Sequence, residues 1–288
     1  MKKVLINSFF LVVIVSSYAQ IKHPKASPLA TIEQEIGLSK ISVEYSRPAT
    51  RGRKIFGGLV PYGRIWRVGA NASTKITVDT DMNILGNDLP KGTYALYAFP
   101  EEDEWQIAFH TNTGHWGDGR KNYDPEEDLF RITVKSQKIQ DYQENFLIVF
   151  DSITHSTIQM GLIWANTKVI IPFTVDTHAQ MEMEIARQLS ENPTAQTYYE
   201  AARYLQEQKI EYPRALQYLN QALKLGGDTY YFHRVKSLVE AALGDYEDAI
   251  TSAQKSLALA QKQDKDEFVR MNQKNINTWK TLLQDHDD

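Results

Sequence analysis

Residues 74–99 read TKITVDTDMNILGNDLPKGTYALYAF. Ile76 and Val78 alternate with polar neighbours, Gly86-Asn87-Asp88 supplies a turn, and Pro90-Lys91-Gly92 makes a corner before the β-rich run at 93–99. Short strands punctuated this closely specify an all-β domain, and the same pattern extends in both directions. Upstream, Ile32, Gln34 and Ile36 alternate with Glu33 and Glu35, Gly37-Leu38 turns, and Ile41, Val43 and Tyr45 alternate again. Downstream, strands are expected at 105–110, 129–135, 146–153 and 157–164, with Ala165-Asn166-Thr167 turning into 168–173. Eight or so short strands at this spacing predict a two-sheet antiparallel sandwich over 27–175.

After residue 175 the periodicity changes. Thr177 with Gln180 has the spacing of a capping box, opening a linker helix over 176–191. Asn192-Pro193 reads as a helix start, Gly226 as a stop, Asp228 as the next cap, and Gly244-Asp245 as a stop and start together. Tyr212-Pro-Arg-Ala215 recurs as Tyr246-Glu-Asp-Ala249, so the two alanines lie 34 positions apart. That is the tetratricopeptide period. The expected architecture is therefore multidomain: an all-β antiparallel sandwich followed by an all-α, tetratricopeptide-like array of helical hairpins. Two repeats span 192–263, and a capping helix and tail span 264–288.

The chain has 288 residues, 42% of them hydrophobic and 24% charged, with a formal net charge of -4. This composition suits two packed domains. Cysteine is absent, which excludes a disulfide framework, thiolate metal ligation and thiol nucleophiles. Lys2 and Lys3 precede an apolar run at 4–15, and Ser17-Tyr18-Ala19 has small residues where a signal peptidase reads. The pattern predicts a secretory signal over 1–19, an exported product, periplasmic or extracellular, and no membrane span in the mature chain, since the run is shorter than the roughly 20 residues that cross a bilayer. An acidic exported protein is not expected to bind nucleic acid.

Against that acidic background, residues 45–78 carry Arg47, Arg51, Arg53, Lys54, Arg64, Arg67 and Lys75 without a single Asp or Glu. Five glycines and two prolines break the stretch into turns. Arginine recognises planar anions in bidentate fashion, and an aromatic ring beside it can stack on a sugar. Arg51, Arg53, Tyr62, Trp66, Arg67 and Asn71 are accordingly the candidate site for an anionic small molecule or glycan. The competing expectation is structural: the arginines pair with acids such as Glu33, Glu35 and Glu44 to lock an irregular crossover, and Trp66 is a core plug.

A second constellation, His110, His115 and Asp118, offers acid/base or metal-ligand types, but its spacing matches no standard metal motif. The expectation is therefore no metal and no cofactor. Asp79-Thr-Asp81-Met-Asn83 lacks the glycine and the glutamate of a calcium loop, and the acids at 101–103 and 124–128 read as solvated turns. No hydrolase elbow, phosphate loop or dinucleotide fingerprint occurs.

Two resemblances add to this reading. Residues 238–260, LVEAALGDYEDAITSAQKSLALA, resemble the tetratricopeptide consensus, with Gly244, Tyr246 and Ala249 at its packing positions and Tyr212 and Ala215 matching them in a degenerate first copy. The β-region resembles the secreted bacterial family known as domain of unknown function 2911. The likeness rests on Tyr45-Ser-Arg-Pro48, Gly52-Arg53, Trp66-Arg67-Val-Gly-Ala-Asn71 with Thr74, and Gly92-Thr-Tyr94. This resemblance implies a secreted β-domain, in some members joined to helical repeats, and carries no activity. The functional expectation is a non-enzymatic binding or assembly protein, its β-domain holding the anion and its repeats a protein or peptide partner. The alternative is a hydrolase or lyase acting on an acidic polysaccharide or phosphoester, with Arg53 and Arg67 as charge clamps, His110 or His115 as acid/base and Asp118 orienting it.

Overall fold

The computed structural model describes residues 23–117 and 120–287. The expected signal at 1–19 and Asp118 lie outside the described residues. The chain divides into two compact units, one ending at Asp176 and the other beginning at Thr177.

The first unit is a nine-stranded antiparallel sheet: β1 (Leu29–Ile36), β2 (Ser39–Ser46), β3 (Thr74–Val78), β4 (Met82–Ile84), β5 (Asn87–Leu89), β6 (Gly92–Pro100), β7 (Glu104–His110), β8 (Asp128–Asp151) and β9 (Thr157–Thr174). The strands follow the order β1-β2-β3-β6-β7-β8-β9-β4-β5. Where separate strands at 129–135 and 146–153, and at 157–164 and 168–173, are expected, the structure has the two continuous strands β8 and β9. β8 pairs with β7 through its first third and with β9 through the rest, crossing two irregularities in register around Gln143. The expected turn at Ala165 is an irregularity inside β9: Ala165 takes φ 52 and lies opposite Gln143. A local left-handed residue is thus absorbed as a bulge because the ladder continues on both sides.

The sheet's core draws on both halves of the strand order, with Ile41, Val43, Leu96 and Ile107 joining Ile148, Met160, Leu162 and Phe173 in one cluster. Residues 47–73, between β2 and β3, are the basic crossover. Its Trp66 exchanges backbone hydrogen bonds of 2.8 Å with Ala98 of β6, continuing the place that β3 occupies beside β6. Its Pro48 carbonyl and Thr50 N–H bond to Phe146 and Glu144 of β8. The crossover is therefore stitched to strands from both halves of the sheet, so its side chains are positioned by a scaffold although it lacks a long strand of its own.

The second unit has six helices: α1 (Thr177–Ser190), α2 (Ala195–Gln208), α3 (Tyr212–Lys224), α4 (Tyr230–Leu243), α5 (Tyr246–Gln261) and α6 (Asp266–Asp287). They pack as consecutive hairpins, α2 on α3, α4 on α5 and α5 on α6. Ala215 and Ala249 are fully buried, letting the paired helices approach, while Tyr212 and Tyr246 open α3 and α5 at equivalent places and pack against the two helical cores. Gly244 ends α4 in the left-handed conformation, with φ 88. Two helix starts differ from the reading above. α2 is capped by Thr194, not Asn192, because Thr194 and Thr197 satisfy each other's backbone N–H reciprocally. α4 is capped by Thr229, which leaves Asp228 to pair with His233 at 2.7 Å. No helix among the described residues is long and apolar enough to cross a membrane.

Candidate functional site

A cleft of about 330 Å³ opens against the crossover, and four arginines line it: Arg51, Arg53, Arg67 and Arg120. Trp66 and Trp164 contribute its aromatic part. No Asp or Glu occurs among its described lining residues.

Local turns place Arg51, Arg53 and Arg67. Arg51 sits in the left-handed region at φ 50 beside Gly52 at φ 71. That turn is held from β8, since Glu144 accepts from the Thr50 hydroxyl and, at 3.0 Å, from the Arg51 backbone N–H. The Thr50 hydroxyl, followed by these backbone amides, holds the Glu144 carboxyl below its ordinary range. Arg53 donates from Nε to the Thr50 carbonyl at 2.9 Å and from a terminal nitrogen to the Ala49 carbonyl at 2.7 Å. Arg51 reaches the Ala26 carbonyl at 3.5 Å. Both guanidiniums thus meet backbone carbonyls, and neither is in an ion pair among the described residues. The acids expected to pair with them do not: Glu33 pairs with Lys40 at 3.1 Å. The lock on the crossover is Glu144, acting on the Thr50 hydroxyl and the Arg51 backbone N–H and not on the guanidinium groups of Arg51 and Arg53.

Arg67 is set by a strained turn. Val68 is fully buried at φ 53, an outlier for a β-branched residue, and Asn71 follows at φ 62. The turn closes on itself: Thr74 Oγ1 donates to the Val68 carbonyl at 2.5 Å, and the Trp66 indole N–H donates to the Gly69 carbonyl at 3.1 Å. A Cβ on Gly69 would lie 2.9 Å from the Ser46 carbonyl oxygen, and its φ of 149 excludes other side chains in any case.

Of the sequence candidates, Arg51, Arg53, Trp66 and Arg67 line the cleft and Tyr62 and Asn71 do not. Trp66 is 7% exposed and packs edge-on or stacked against Phe56, Trp105, Phe146 and Trp164, so it is a core residue that also floors the cleft. Tyr62 is half-buried against the core. Asn71 donates at 3.2 Å to the Ser27 carbonyl and to Ser46 Oγ, pinning the chain that leads into β1. Sequence reasoning missed Arg120 and Trp164. Arg120 lies outside the 45–78 stretch, on the loop after β7, and its only signal was a basic residue beside three glycines.

The histidines form a separate cluster on that loop and its flanking strands. His110, the last residue of β7, is fully buried and its Nδ1 lies 3.0 Å from Asp128 Oδ1. Asp128 also accepts from Tyr123 at 2.5 Å and from Arg131 at 2.6 Å. Burial, then the bond to Asp128, pushes the Tyr123 hydroxyl well above its ordinary range. His115 Nδ1 lies 2.9 Å from the Tyr97 hydroxyl. The acids at 124–128, expected to be solvated, are not all so: the Asp128 side chain is 7% exposed, and Asn112 donates to both Glu127 oxygens at 3.2 and 3.3 Å. The carboxylates that the described residues bring to the histidines are Glu127 and Asp128.

Residues 27–173 match the family described as "Protein of unknown function (DUF2911)". The chain belongs to this family. The matched stretch coincides with the sheet unit and contains both clusters, while no repeat family is identified in the helical region. No curated protein matches the chain.

Proposed function

We propose that this DUF2911 protein is an exported, non-enzymatic binding protein whose sheet unit holds a small anionic ligand, an acidic sugar or a comparable carboxylate, phosphate or sulfate, in the arginine cleft. The observation that carries this reading is the convergence of Arg51, Arg53, Arg67 and Arg120 on one concave site with no carboxylate among its described lining residues. Arginine forks match planar oxyanions, and the partly apolar floor suits the face of a sugar ring. A cleft of about 330 Å³ takes one ring, not a long chain. The strained Val68 supports a ligand role for Arg67, because strain of this kind persists where the surroundings impose it and clusters at binding sites.

The hydrolase or lyase alternative is weaker in the form the sequence suggests. The His110 ring is fully buried with its Nδ1 engaged by Asp128, and neither His110 nor His115 is among the described residues that line the arginine cleft. A partner for the helical unit belongs to the same proposal, and a groove of about 440 Å³ between α1 and α2, lined by Met181, Ile185 and Tyr204 with Glu184, Glu200 and Arg203 at its polar side, is where it would dock. The test is a thermal-shift screen of the full mature chain against uronic acids, sugar phosphates and sulfated sugars, with neutral sugars as controls. Stabilisation by acidic members alone, lost in Arg67→Ala, is expected. A response shared by neutral sugars, or none from any acid, refutes the reading.

A further inference from the structure

We propose that His110, His115 and Glu127 form a binding site for a single zinc-type divalent cation, independent of the anion reading. One ligand atom from each of the three residues lies within 4.8 Å of the others. His110 Nε2 and Glu127 Oε2 are 3.2 Å apart, close to the ~3.3 Å that separates two donors on a tetrahedral zinc with bonds of about 2.0–2.1 Å. His115 comes from the loop between β7 and β8, so a small inward movement of one loop side chain completes the triangle.

The decisive feature is His110. Its ring is fully buried, Nδ1 is satisfied by Asp128, and Nε2 has no hydrogen-bond partner although it points at Glu127. The neighbouring carboxylate oxygen is near enough to touch but is not aligned as an acceptor. Burying an imidazole nitrogen without a partner costs free energy, and a cation bridging it to Glu127 removes that cost.

The surrounding contacts have the form that supports metal ligands. Asp128 fixes the Nδ1 side of His110, leaving Nε2 to ligate, and Asp128 is itself held by Tyr123 and Arg131. Tyr97 orients His115 through its Nδ1, and Asn112 orients both Glu127 oxygens. Ligating histidines characteristically carry such a partner on the other ring nitrogen, and ligating carboxylates are likewise hydrogen-bonded. Two imidazoles and a carboxylate suit zinc and leave a fourth position for water.

A contrasting triplet in the helical unit, His178, Glu182 and Glu211, shows what such a cluster looks like without this provision. Arg214 bonds both of its carboxylates at 2.7–2.8 Å, and His178 is exposed beside Tyr204.

The test uses the full mature chain stripped with a chelator and titrated with zinc chloride alone against a competing chromogenic chelator. One equivalent is expected to bind, with zinc-edge X-ray absorption showing two imidazoles and light-atom ligands only. His115→Ala and Glu127→Gln, each checked for native circular dichroism, should weaken binding by more than about 100-fold, and His178→Ala should leave it unchanged. Absence of stoichiometric zinc binding by the wild type overturns the proposal. So does affinity retained in both sheet-unit variants, or affinity lost in His178→Ala.

Discussion

The sheet unit and the helical unit solve the same packing problem with opposite kinds of contact. In α2 to α5 the decisive residues are neighbours in sequence: a threonine cap before α2 and α4, a tyrosine opening α3, α4 and α5, buried alanines in α2, α3 and α5, and a left-handed glycine closing α4. In the sheet unit the decisive contacts are long-range. Glu144 holds the turn at Arg51, Asn71 holds Ser27, and Trp66 packs on Trp164. Local contacts make an element readable, whereas long-range ones make a site, because only they bring together side chains that the sequence keeps apart.

This contrast can be broken most severely at Trp66. Truncation to Ala empties the middle of an aromatic cluster and removes the indole bond to Gly69, so Trp66→Ala should destabilise the sheet unit by about 3–5 kcal/mol in urea denaturation. The cleft should collapse with it. A loss below about 1 kcal/mol would mean that the crossover is not part of the core.

A smaller effect is expected in the helices. Ala249 is fully buried in the cluster with Ala253, Ile276 and Trp279, and Ala249→Leu should cost about 1–3 kcal/mol by overpacking, seen as earlier loss of helical ellipticity in urea. Ala258 lies on an unburied face of the same helix α5, so Ala258→Leu should change little. Equal effects at the two positions would remove the meaning assigned to the 34-residue spacing.

The smallest effect separates the units by pH. Burial raises the Tyr199 hydroxyl to about 12, the main cause being its place between Phe232 and the other rings of the α2–α4 core. A raised pKa means that the folded state keeps the proton longer. Its contribution to stability is complete below about pH 10, the unfolded value, and is lost as pH rises from there through 12. Tyr199→Phe should therefore flatten the alkaline decline of the helical unit's urea midpoint between those limits. An unchanged decline would assign it to other groups.

How far each unit was legible follows from the same contrast. The helix-packing residues Tyr212, Ala215, Gly244, Tyr246 and Ala249 announce themselves by spacing, and the helix starts missed by one or two residues arose from a competing Thr hydroxyl close by. The alternation of β1, β2 and β3 was equally plain. The continuity of β8 and β9 was not, since Ala165-Asn166 reads as a turn unless the partner strand is known. Within the basic stretch, composition pointed to Arg51, Arg53, Trp66 and Arg67, but nothing local tied Arg120 to them. Glu127 and Asp128 looked like solvated acids because their importance depends on facing the end of β7, where His110 and Asp128 are paired across strands.

The charge of the cleft is the claim on which the functional account rests, and calorimetric titration with one sugar in two forms tests it most directly. D-galacturonic acid and its neutral methyl ester share shape and hydroxyl pattern and differ in the carboxylate. The wild-type chain is predicted to bind the acid at least about 10-fold more tightly, a difference of roughly 1.4 kcal/mol that one charge-assisted contact supplies. The preference should vanish in Arg51→Ala combined with Arg67→Ala while circular dichroism stays native. Equal affinity for acid and ester, or a preference for the acid that survives both substitutions, would contradict the account.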